Sequence, residues 1–470
     1  MAKTETAEKR LARSAKEARE LERCRKQLEK KKPKGYLIYL LVVLSIVYIV
    51  DEVTSAIGTS MQSEVVTEFF VQGKGMEFNT GLASFTAMSA PLYAMMILMP
   101  FYKSLADKYG RKLFLVINTI GMGVGMGICM SAGGPLVYLF GMLVINFVMY
   151  NDMQVMYVME CAPEKHRAKL TSLTKAVALL GVTAIPILRD VFMGNDGSQW
   201  RKVFMIPAVV AVIVGIAAIF LMDETPVFLA RRVEYLKMTD LERFAQEENQ
   251  RKTAEEGKGG VGKALKFILK HKQIRAVALC AMVFMFSTGV TGYYESIMKT
   301  GGMSTAQVTQ AMYYIPFCNA LMTAVGGFIT DALGRKKSAI LLSSVAFVGL
   351  TIFVLAANTG MSPAIVGISY GFFIGGLWSV SDMLCLIMAG ESTPTHLRAS
   401  VLGSMSLLVG IGSMGSSIAI MVGMLFVKSI GILSLCVCGP FMLMALFLLI
   451  TQVKETKGVD LNTITGAEWD

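Results

Sequence analysis

Charged residues are scarce in this 470-residue chain, at 17% of the sequence, and histidine is almost absent, with three copies. The three histidines, His166, His271 and His396, all fall in polar segments between apolar runs. The eight cysteines are scattered without metal-ligand spacing, which is typical of small buried apolar residues. There is no phosphate-binding loop and no nucleophile beside a base. Metal, hydrolytic and ATP-driven chemistry therefore has no support in the sequence, which predicts a protein that is not an enzyme and needs no cofactor.

Long apolar runs account for most of the chain, which is 54% hydrophobic with a mean hydropathy of +0.55. A helix needs about 20 mostly apolar residues to cross a bilayer. The sequence predicts twelve such spans, at 36–60, 81–103, 113–132, 135–159, 169–190, 202–222, 275–298, 305–329, 338–357, 362–389, 399–426 and 430–452. The predicted fold is therefore an all-α membrane protein of twelve transmembrane helices in two six-helix bundles.

The domain boundaries follow from the polar segments. We predict a basic N-terminal tail at 1–34, bundles at 35–222 and 275–453, a linker at 223–274 and a C-terminal tail at 454–470. Residues 3–32 of the tail either form a helix on the membrane surface or are a solvated segment. Lysine and arginine are dense in the tail, the linker and several short loops, and sparse in the opposite loops. Positive charge marks the cytoplasmic side, so both termini are expected in the cytoplasm of a multi-pass plasma-membrane protein. Such charge also attracts anionic lipid, and it favours membrane lipids over nucleic acid as partners. No cleavable signal peptide is expected, because the first apolar run follows a long charged segment.

Three short motifs occur twice in the same order. Residues 107–112 (Asp-Lys-Tyr-Gly-Arg-Lys) recur at 331–336 (Asp-Ala-Leu-Gly-Arg-Lys). Residues 160–167 (Glu-Cys-Ala-Pro-Glu-Lys-His-Arg) recur at 391–398 (Glu-Ser-Thr-Pro-Thr-His-Leu-Arg). Residues 223–226 (Asp-Glu-Thr-Pro) match 454–457 (Lys-Glu-Thr-Lys), and all three pairs lie about 230 residues apart. The sequence therefore predicts two copies of one membrane unit, a common plan of secondary transporters.

Over about 36–461 these motifs resemble the major facilitator superfamily, in its sugar-porter and organic-ion branch. The resemblance implies a transporter of the major facilitator fold that opens a central site to each side in turn. Two departures concern the substrate. The glutamine pair that sugar porters carry in the seventh span is missing, and their fifth-span glutamine position, eight residues after Arg167, holds Lys175.

The charged motif residues are candidates for a cytoplasmic gate. Paired charges at the span ends can hold the two halves together in one state and release them in another. The alternative is that they are static topology anchors. The predicted gate residues are Asp107, Arg111, Glu160, Arg167, Asp331, Arg335, Glu391 and Arg398.

Ionisable residues inside the spans are candidates for substrate binding, because a charge in the bilayer requires a cavity, a partner or a task. Asp152 lies eight residues before Glu160, and Lys175 lies eight after Arg167, which is about 12 Å of helix in each case. We therefore expect Asp152 and Lys175 to pair near the midplane, directly or through substrate. A structural pair without substrate contact is the alternative.

The remaining predicted substrate-binding residues are two acids, Glu295 and Asp382, and three uncharged side chains, Trp378, Tyr293 and Asn319. Arg189 and Asp190, farther along the fifth span, are expected at the membrane interface.

Asp51, in the first span, is the first candidate for proton coupling, and Glu52 is the second. The resemblance implies this role, since a first-span acid is the proton switch of proton-coupled sugar porters. The fourth-span arginine that usually pairs with it has no counterpart here, since neither lysine nor arginine lies between Lys112 and Lys165. A fixed counter-charge for a cationic substrate is the alternative role.

The predicted function is alternating-access transport of a small polar or charged organic solute, coupled to protons as symport, by a monomer. Three alternatives stay open: a proton-independent facilitator for a sugar or organic ion, a multidrug exporter, and a non-transporting receptor.

Overall fold

The computed structural model of the chain describes residues 17–30, 32–33, 35–92, 102, 105–106, 108–149, 153–163, 167–194, 197–238, 242 and 262–459. Within these residues the chain is helical, and ten helices are long and apolar enough to cross a membrane. The second and fifth spans are not among the ten, because the structure describes each of them in pieces shorter than 18 residues. With these two, the chain has the predicted twelve spans.

The spans are numbered in chain order. Their helices are Tyr36–Ser60 (span 1), Phe78–Met88 with residues 90–92 (span 2), Arg111–Met130 (span 3), Pro135–Met149 and Met153–Cys161 (span 4), Arg167–Gly181 and Ala184–Phe192 (span 5), Arg201–Leu221 (span 6), Lys272–Phe284 with the 3₁₀ turn Met285–Gly292 (span 7), Thr305–Leu333 (span 8), Arg335–Asn358 (span 9), Pro363–Asp382 with the π-helix Met383–Met388 (span 10), Thr395–Gly423 (span 11) and Ile430–Thr451 (span 12). Spans 1–6 form one half of the molecule and spans 7–12 form the other.

Shorter helices lie before and between the spans. They are residues 17–29, Gln62–Val66, the π-helix Thr67–Gln72, Pro226–Lys237, residues 262–270 and Tyr294–Thr300. The predicted N-terminal helix is thus present over 17–29, and the residues before it lie outside the described chain. Glu20 on this helix accepts a hydrogen bond from Arg232 on Pro226–Lys237 at 2.7 Å, which joins the tail to the linker.

Local sequence explains where several helices begin and break. Thr225 and Ser362 cap helices whose first residue is proline, where a missing N–H costs nothing. Ser304 and Gln307 form a capping box at the start of span 8. Span 5 is interrupted between Gly181 and Ala184, just before Pro186, which cannot donate the backbone hydrogen bond that a continuous helix needs.

Glycine residues bring the spans of the second half close together. A Cβ on Gly349 would lie 2.8 Å from the Ser369 carbonyl, and one on Gly375 would lie 2.6 Å from the Met322 Cβ. Spans 8, 9 and 10 therefore pack backbone to backbone, as small residues allow in membrane bundles. The outward surface is apolar: Phe220 and Phe426 are each 81% exposed, which suits a surface that lipid solvates.

Candidate functional site

The repeated motifs form one polar network in the first half. Arg111 donates from Nε to Glu160 Oε1 at 3.1 Å, and Thr225 Oγ1 donates to the other oxygen of Glu160. Glu224 accepts hydrogen bonds from the backbone N–H groups of Arg111 at 3.0 Å and Lys112 at 3.2 Å. A carboxylate there satisfies the first amides of span 3 and interacts favourably with its helix dipole.

The same network is built again in the second half. Arg335 donates from Nε to Glu391 Oε1 at 3.2 Å, and Thr456 Oγ1 donates to Glu391 Oε2. Glu455 accepts from the backbone N–H groups of Arg335 at 2.7 Å and Lys336 at 3.1 Å. The three repeated motifs thus meet in space in each half, and they do so in the same arrangement, as two copies of one unit predict. We call the end of the molecule that carries the two networks the motif face.

Each network joins residues of a single half. Arg335 also lies 3.7 Å from Asp331, and Arg398 donates to the Gly390 carbonyl at 3.0 Å, again within the second half. Asp107 and the side chain of Arg167 lie outside the described residues. The predicted latch between the halves thus stays a prediction, and in this conformation the described motif contacts organise each half separately.

The two halves meet through charged side chains at the opposite end, which we call the opposite face. Glu295 accepts hydrogen bonds from the backbone N–H of Ser63, at 2.8 Å, and from the Ser63 hydroxyl. Arg189 lies 3.3 Å from Glu64 and 3.8 Å from Glu295, and Lys299 lies 3.4 Å from Glu64. Arg189 and Glu295 are completely buried. These four side chains, Arg189, Glu64, Glu295 and Lys299, are the gate cluster.

Uncharged contacts extend this closure. The hydroxyls of Ser60 and Tyr294 lie 2.6 Å apart, Ser296 donates to Gln62 at 3.0 Å, and Asn79 donates to the Lys428 carbonyl at 2.9 Å. Each contact joins the first half to the second. The gate cluster and these contacts close the space between the halves at the opposite face.

Two expectations from the sequence change here. Arg189 was expected at the membrane interface, but it is buried in the gate cluster, where it donates to the Ser60 carbonyl and to Thr309. Asp190 is exposed and accepts from the Tyr313 hydroxyl at 2.6 Å. Glu295, expected among the substrate-binding residues, lies in the gate cluster. The sequence analysis did not identify Glu64 as a functional residue. The signal that could have done so is its charge, which is opposite to that of Arg189, since both residues lie near span ends.

A second charge pair crosses between the halves near the middle of the spans. Lys175 Nζ in span 5 lies 3.7 Å from Asp382 Oδ2 in span 10, and the two side chains are 35% and 54% exposed. Asp382 is nine residues before Glu391, so it lies about as deep as Lys175. Asp152 lies outside the described residues, so its pairing with Lys175 stays a prediction. We call Lys175 and Asp382 the central ion pair.

Asp51 is buried in span 1 and bonded to span 4. Gln154 Nε2 donates to Asp51 Oδ2 at 3.0 Å. A primary amide can donate to an ionised carboxylate and accept from a protonated one, so it suits both states of Asp51. Gln154 was missed in the sequence, although the same depth count from Glu160 places it near Asp152. Glu52 is half-buried on the neighbouring face.

The three uncharged residues predicted to bind substrate lie in different parts of the structure. Trp378 is 42% exposed and lies one helical turn before Asp382, on the same face of span 10. Asn319 is half-buried beside Gly375, where spans 8 and 10 meet. Tyr293 is buried and donates to Thr86 of span 2 at 3.2 Å, so it joins the halves near the opposite face.

Comparison with known proteins identifies several sugar transporters to which this chain is similar. The glucose transporter GlcP of Staphylococcus epidermidis is 23% identical over 332 residues, covering 66% of this chain and 72% of the relative. The arabinose-proton symporter of Bacillus subtilis is 21% identical over 332 residues, covering 64% and 68%.

Among solved structures, the inward-open conformation of the xylose transporter XylE from E. coli superimposes with a TM-score of 0.67 at 16% identity, over 93% of this chain and all of XylE. At that identity the likeness shows the fold. The sequence profile of the Major Facilitator Superfamily matches residues 40–417, from the first span into the eleventh. With its duplicated motif networks and two six-helix halves, the chain belongs to the Major Facilitator Superfamily, as a multi-pass membrane transporter and not an enzyme.

Proposed function

We propose that this chain is a proton-coupled symporter that carries a small polar or charged organic solute across the plasma membrane by alternating access. The observation that carries the proposal is the central ion pair, an exposed cation and anion that face each other across the two halves. Ionised groups at mid-membrane are costly unless they line a water-filled cavity or bind something. Here they mark the solute site.

The orientation follows from charge. Lysine and arginine are concentrated in the tail, the linker and the motif loops, so the motif face is the cytoplasmic one. The gate cluster then closes the extracellular end, and the central ion pair lies on the path to the cytoplasm. The conformation is inward-facing, and opening to the outside requires Glu295 to part from Ser63 and Arg189.

Asp51 supplies the coupling site in this proposal. Its partner Gln154 is neutral and can remain bonded whether or not the carboxyl carries a proton. A relative that is named as an arabinose-proton symporter and a fold neighbour that is named as a D-xylose-proton symporter support the coupling to protons.

The test uses purified protein in liposomes with an imposed pH gradient, acidic outside. Uptake of labelled D-glucose, D-xylose, L-arabinose, choline, glycine betaine and L-alanine is measured with and without a protonophore. We expect at least one solute to accumulate above equilibrium and to lose that accumulation with the protonophore. Asp51→Asn should still exchange the solute but no longer concentrate it. Glu234→Gln, a change of an exposed carboxylate on the linker helix, is the control and should behave like the wild type.

Uptake that equilibrates without concentrating, unchanged by the gradient and by Asp51→Asn, would overturn the coupling and leave a facilitator. The relative that is named as a glucose transporter makes that facilitator the second candidate.

A further inference from the structure

We infer that the central ion pair selects a zwitterion, a small solute that carries one positive and one negative charge. This inference rests on the proposed function and adds the substrate class. It starts from the fact that, among the described residues, the two charges that face each other at this depth come from different halves, Lys175 from the first and Asp382 from the second.

The central ion pair is a loose one. Hydrogen-bonded ammonium–carboxylate pairs have N···O distances of about 2.7–2.9 Å, and this pair is at 3.7 Å with 35% and 54% of the two side chains exposed. Both groups therefore keep open directions into the space between the halves. A solute can approach each of them without first extracting it from a tight contact.

Charge balance then decides the class of solute. A neutral solute would leave the two charges to pair with each other and would gain little from either. A lone cation would satisfy Asp382 and leave Lys175 uncompensated, and a lone anion would do the reverse; either leaves a charge removed from water without a partner, which is unfavourable. A zwitterion offers a partner of opposite charge to each member of the pair. The two described charges thus stay compensated while the cavity closes.

Trp378 supplies the second part of the site. It lies four residues before Asp382, which places its ring and the carboxylate on one helical face, and it is 42% exposed. An indole face binds ammonium groups, quaternary ones above all, through cation–π attraction. The π-helix Met383–Met388 begins immediately after Asp382, and such irregular turns are frequent at functional sites. The cationic end of the solute is thus assigned to Asp382 and Trp378, and the carboxylate end to Lys175.

The experiment measures binding to the full-length protein by thermal shift with six probes. Three are zwitterions of different charge separation: glycine betaine, L-alanine and γ-aminobutyrate. The others are choline, acetate and D-xylose. We expect at least one zwitterion to raise Tm in a saturable way and to bind about tenfold or more weakly to Lys175→Gln and to Asp382→Asn, as the loss of a charge-assisted hydrogen bond predicts. Lys202→Gln, an exposed lysine on the opposite face, is the matched control and should bind all probes as the wild type does.

The single variants also change selectivity, which a merely structural pair would not do. Lys175→Gln leaves one anion and should gain affinity for choline relative to the zwitterions. Asp382→Asn leaves one cation and should gain affinity for acetate. Trp378→Leu should weaken glycine betaine while Trp378→Phe retains it, and neither removes a charge that folding could depend on.

The outcomes separate this inference from the proposed function. If D-xylose accumulates with the pH gradient and no zwitterion binds, the zwitterion assignment is overturned while proton-coupled transport stands. If a zwitterion binds with the predicted changes in selectivity but never accumulates, the site is supported and the coupling fails. Zwitterion binding that is unaltered in Lys175→Gln and Asp382→Asn also overturns the inference.

Discussion

The backbone N–H of Ser63 donates to Glu295 Oε2 at 2.8 Å, across the boundary between the two halves of the transporter. Ser63 belongs to the short helix that follows span 1, and Glu295 to the one that follows the 3₁₀ turn of span 7. Arg189 lies against the same carboxylate, fully buried. Opening this face must break the bond and separate two buried charges, so we expect the gate cluster to control the equilibrium between inward- and outward-facing states.

Arg189→Gln should shift that equilibrium toward the outward-open state. The change leaves Glu64 and Glu295 as buried carboxylates without their guanidinium, and breaking a buried pair costs about 3–5 kcal/mol. The readout uses the Ser60→Cys background and follows how fast a membrane-impermeant thiol reagent, added from the opposite face, labels the introduced cysteine. Labelling of protein that keeps Ser60 is subtracted. We expect labelling at least tenfold faster.

Arg201→Gln is the control for the gate. Arg201 pairs with Glu68 at 2.6 Å, and both residues belong to the first half. Its loss should lower thermal stability and leave the labelling rate of the introduced cysteine unchanged. Equal acceleration in Arg201→Gln and Arg189→Gln would mean that general loosening, and not the gate cluster, sets access.

Gly110→Ala and Gly334→Ala should each destabilise the half that carries them. The φ angles are +112° and +91°, in the region that side chains avoid. An added Cβ would also meet the glutamate that caps the next helix, Glu224 in one half and Glu455 in the other. Backbone strain of this kind lowers the free energy of unfolding by about 1–3 kcal/mol. Thermal unfolding in detergent would detect a decrease of that size.

Gly127→Ala is the comparison for these two variants. Gly127 lies inside span 3, and an added Cβ would meet nothing within 4 Å. Alanine there should be neutral or slightly stabilising. If all three alanine variants unfold alike, the positive φ at the motif loops is not the cause of the loss.

Much of this architecture follows from the sequence, because duplication and apolar run length are properties of the chain itself. Once two copies are recognised, a contact among Glu160, Arg111 and Thr225 in one half predicts its counterpart in the other half. The partner of Lys175 does not follow, because Asp152 and Asp382 are counted to almost the same depth. Depth along a helix is local, but which span faces which across the cavity depends on the packing of the two halves.

The gate cluster shows the same limit. A single arginine near a span end is ordinarily an interfacial residue, and its sequence neighbours give no sign of burial. Arg189 is buried because the halves close over it and bring Glu64 and Glu295 to it. Contacts that exist in only one conformation leave no periodic signal in the sequence.

The two capping carboxylates should respond to pH with opposite sign. Burial raises the pKa of Glu224 above its usual value near 4.5, against the backbone N–H donors of Thr225, Lys112 and Arg111. Burial raises the pKa of Glu455 too, but the backbone N–H groups of Lys457, Arg335, Lys336 and Thr456 outweigh it, and the pKa falls below that value. Glu455 is exposed, so less of its hydration is lost.

Linkage fixes the direction of each effect. A lowered pKa stabilises the fold above the unfolded-state pKa, and this stability is lost as the pH falls through the folded-state value. The Tm loss in Glu455→Gln should therefore shrink on acidification. A raised pKa stabilises the fold below the unfolded-state pKa and fades as the pH rises through the folded-state value, so the Tm loss in Glu224→Gln should grow on acidification. Tm of the wild type and both variants, measured from about pH 7 to about pH 3, checks both effects. Tm differences from the wild type that stay constant over this range would contradict the assignment.

The last prediction compares the two arginines that organise the motif networks. Arg111 has a side chain only 3% exposed, bonds Glu160 through two nitrogens and donates a further hydrogen bond to the Ala106 carbonyl at 2.9 Å. Arg335 makes the equivalent pair with Glu391 but is 20% exposed. Lysine keeps the charge and loses the planar fork that serves two partners at once.

Arg111→Lys should therefore lower the stability of the fold more than Arg335→Lys does. In the first half, the half-buried carboxylate of Glu160 and the buried Ala106 carbonyl lose the donors of a buried guanidinium, at about 1–3 kcal/mol for each group left unsatisfied. In the second half, Arg335 is 20% exposed, so water can enter where its guanidinium lay and replace part of the lost bonding to Glu391. Thermal unfolding of the two variants in the same detergent measures the difference. Equal decreases in Tm would show that solvent reaches both networks alike. The difference in burial between Arg111 and Arg335 would then have no effect on stability.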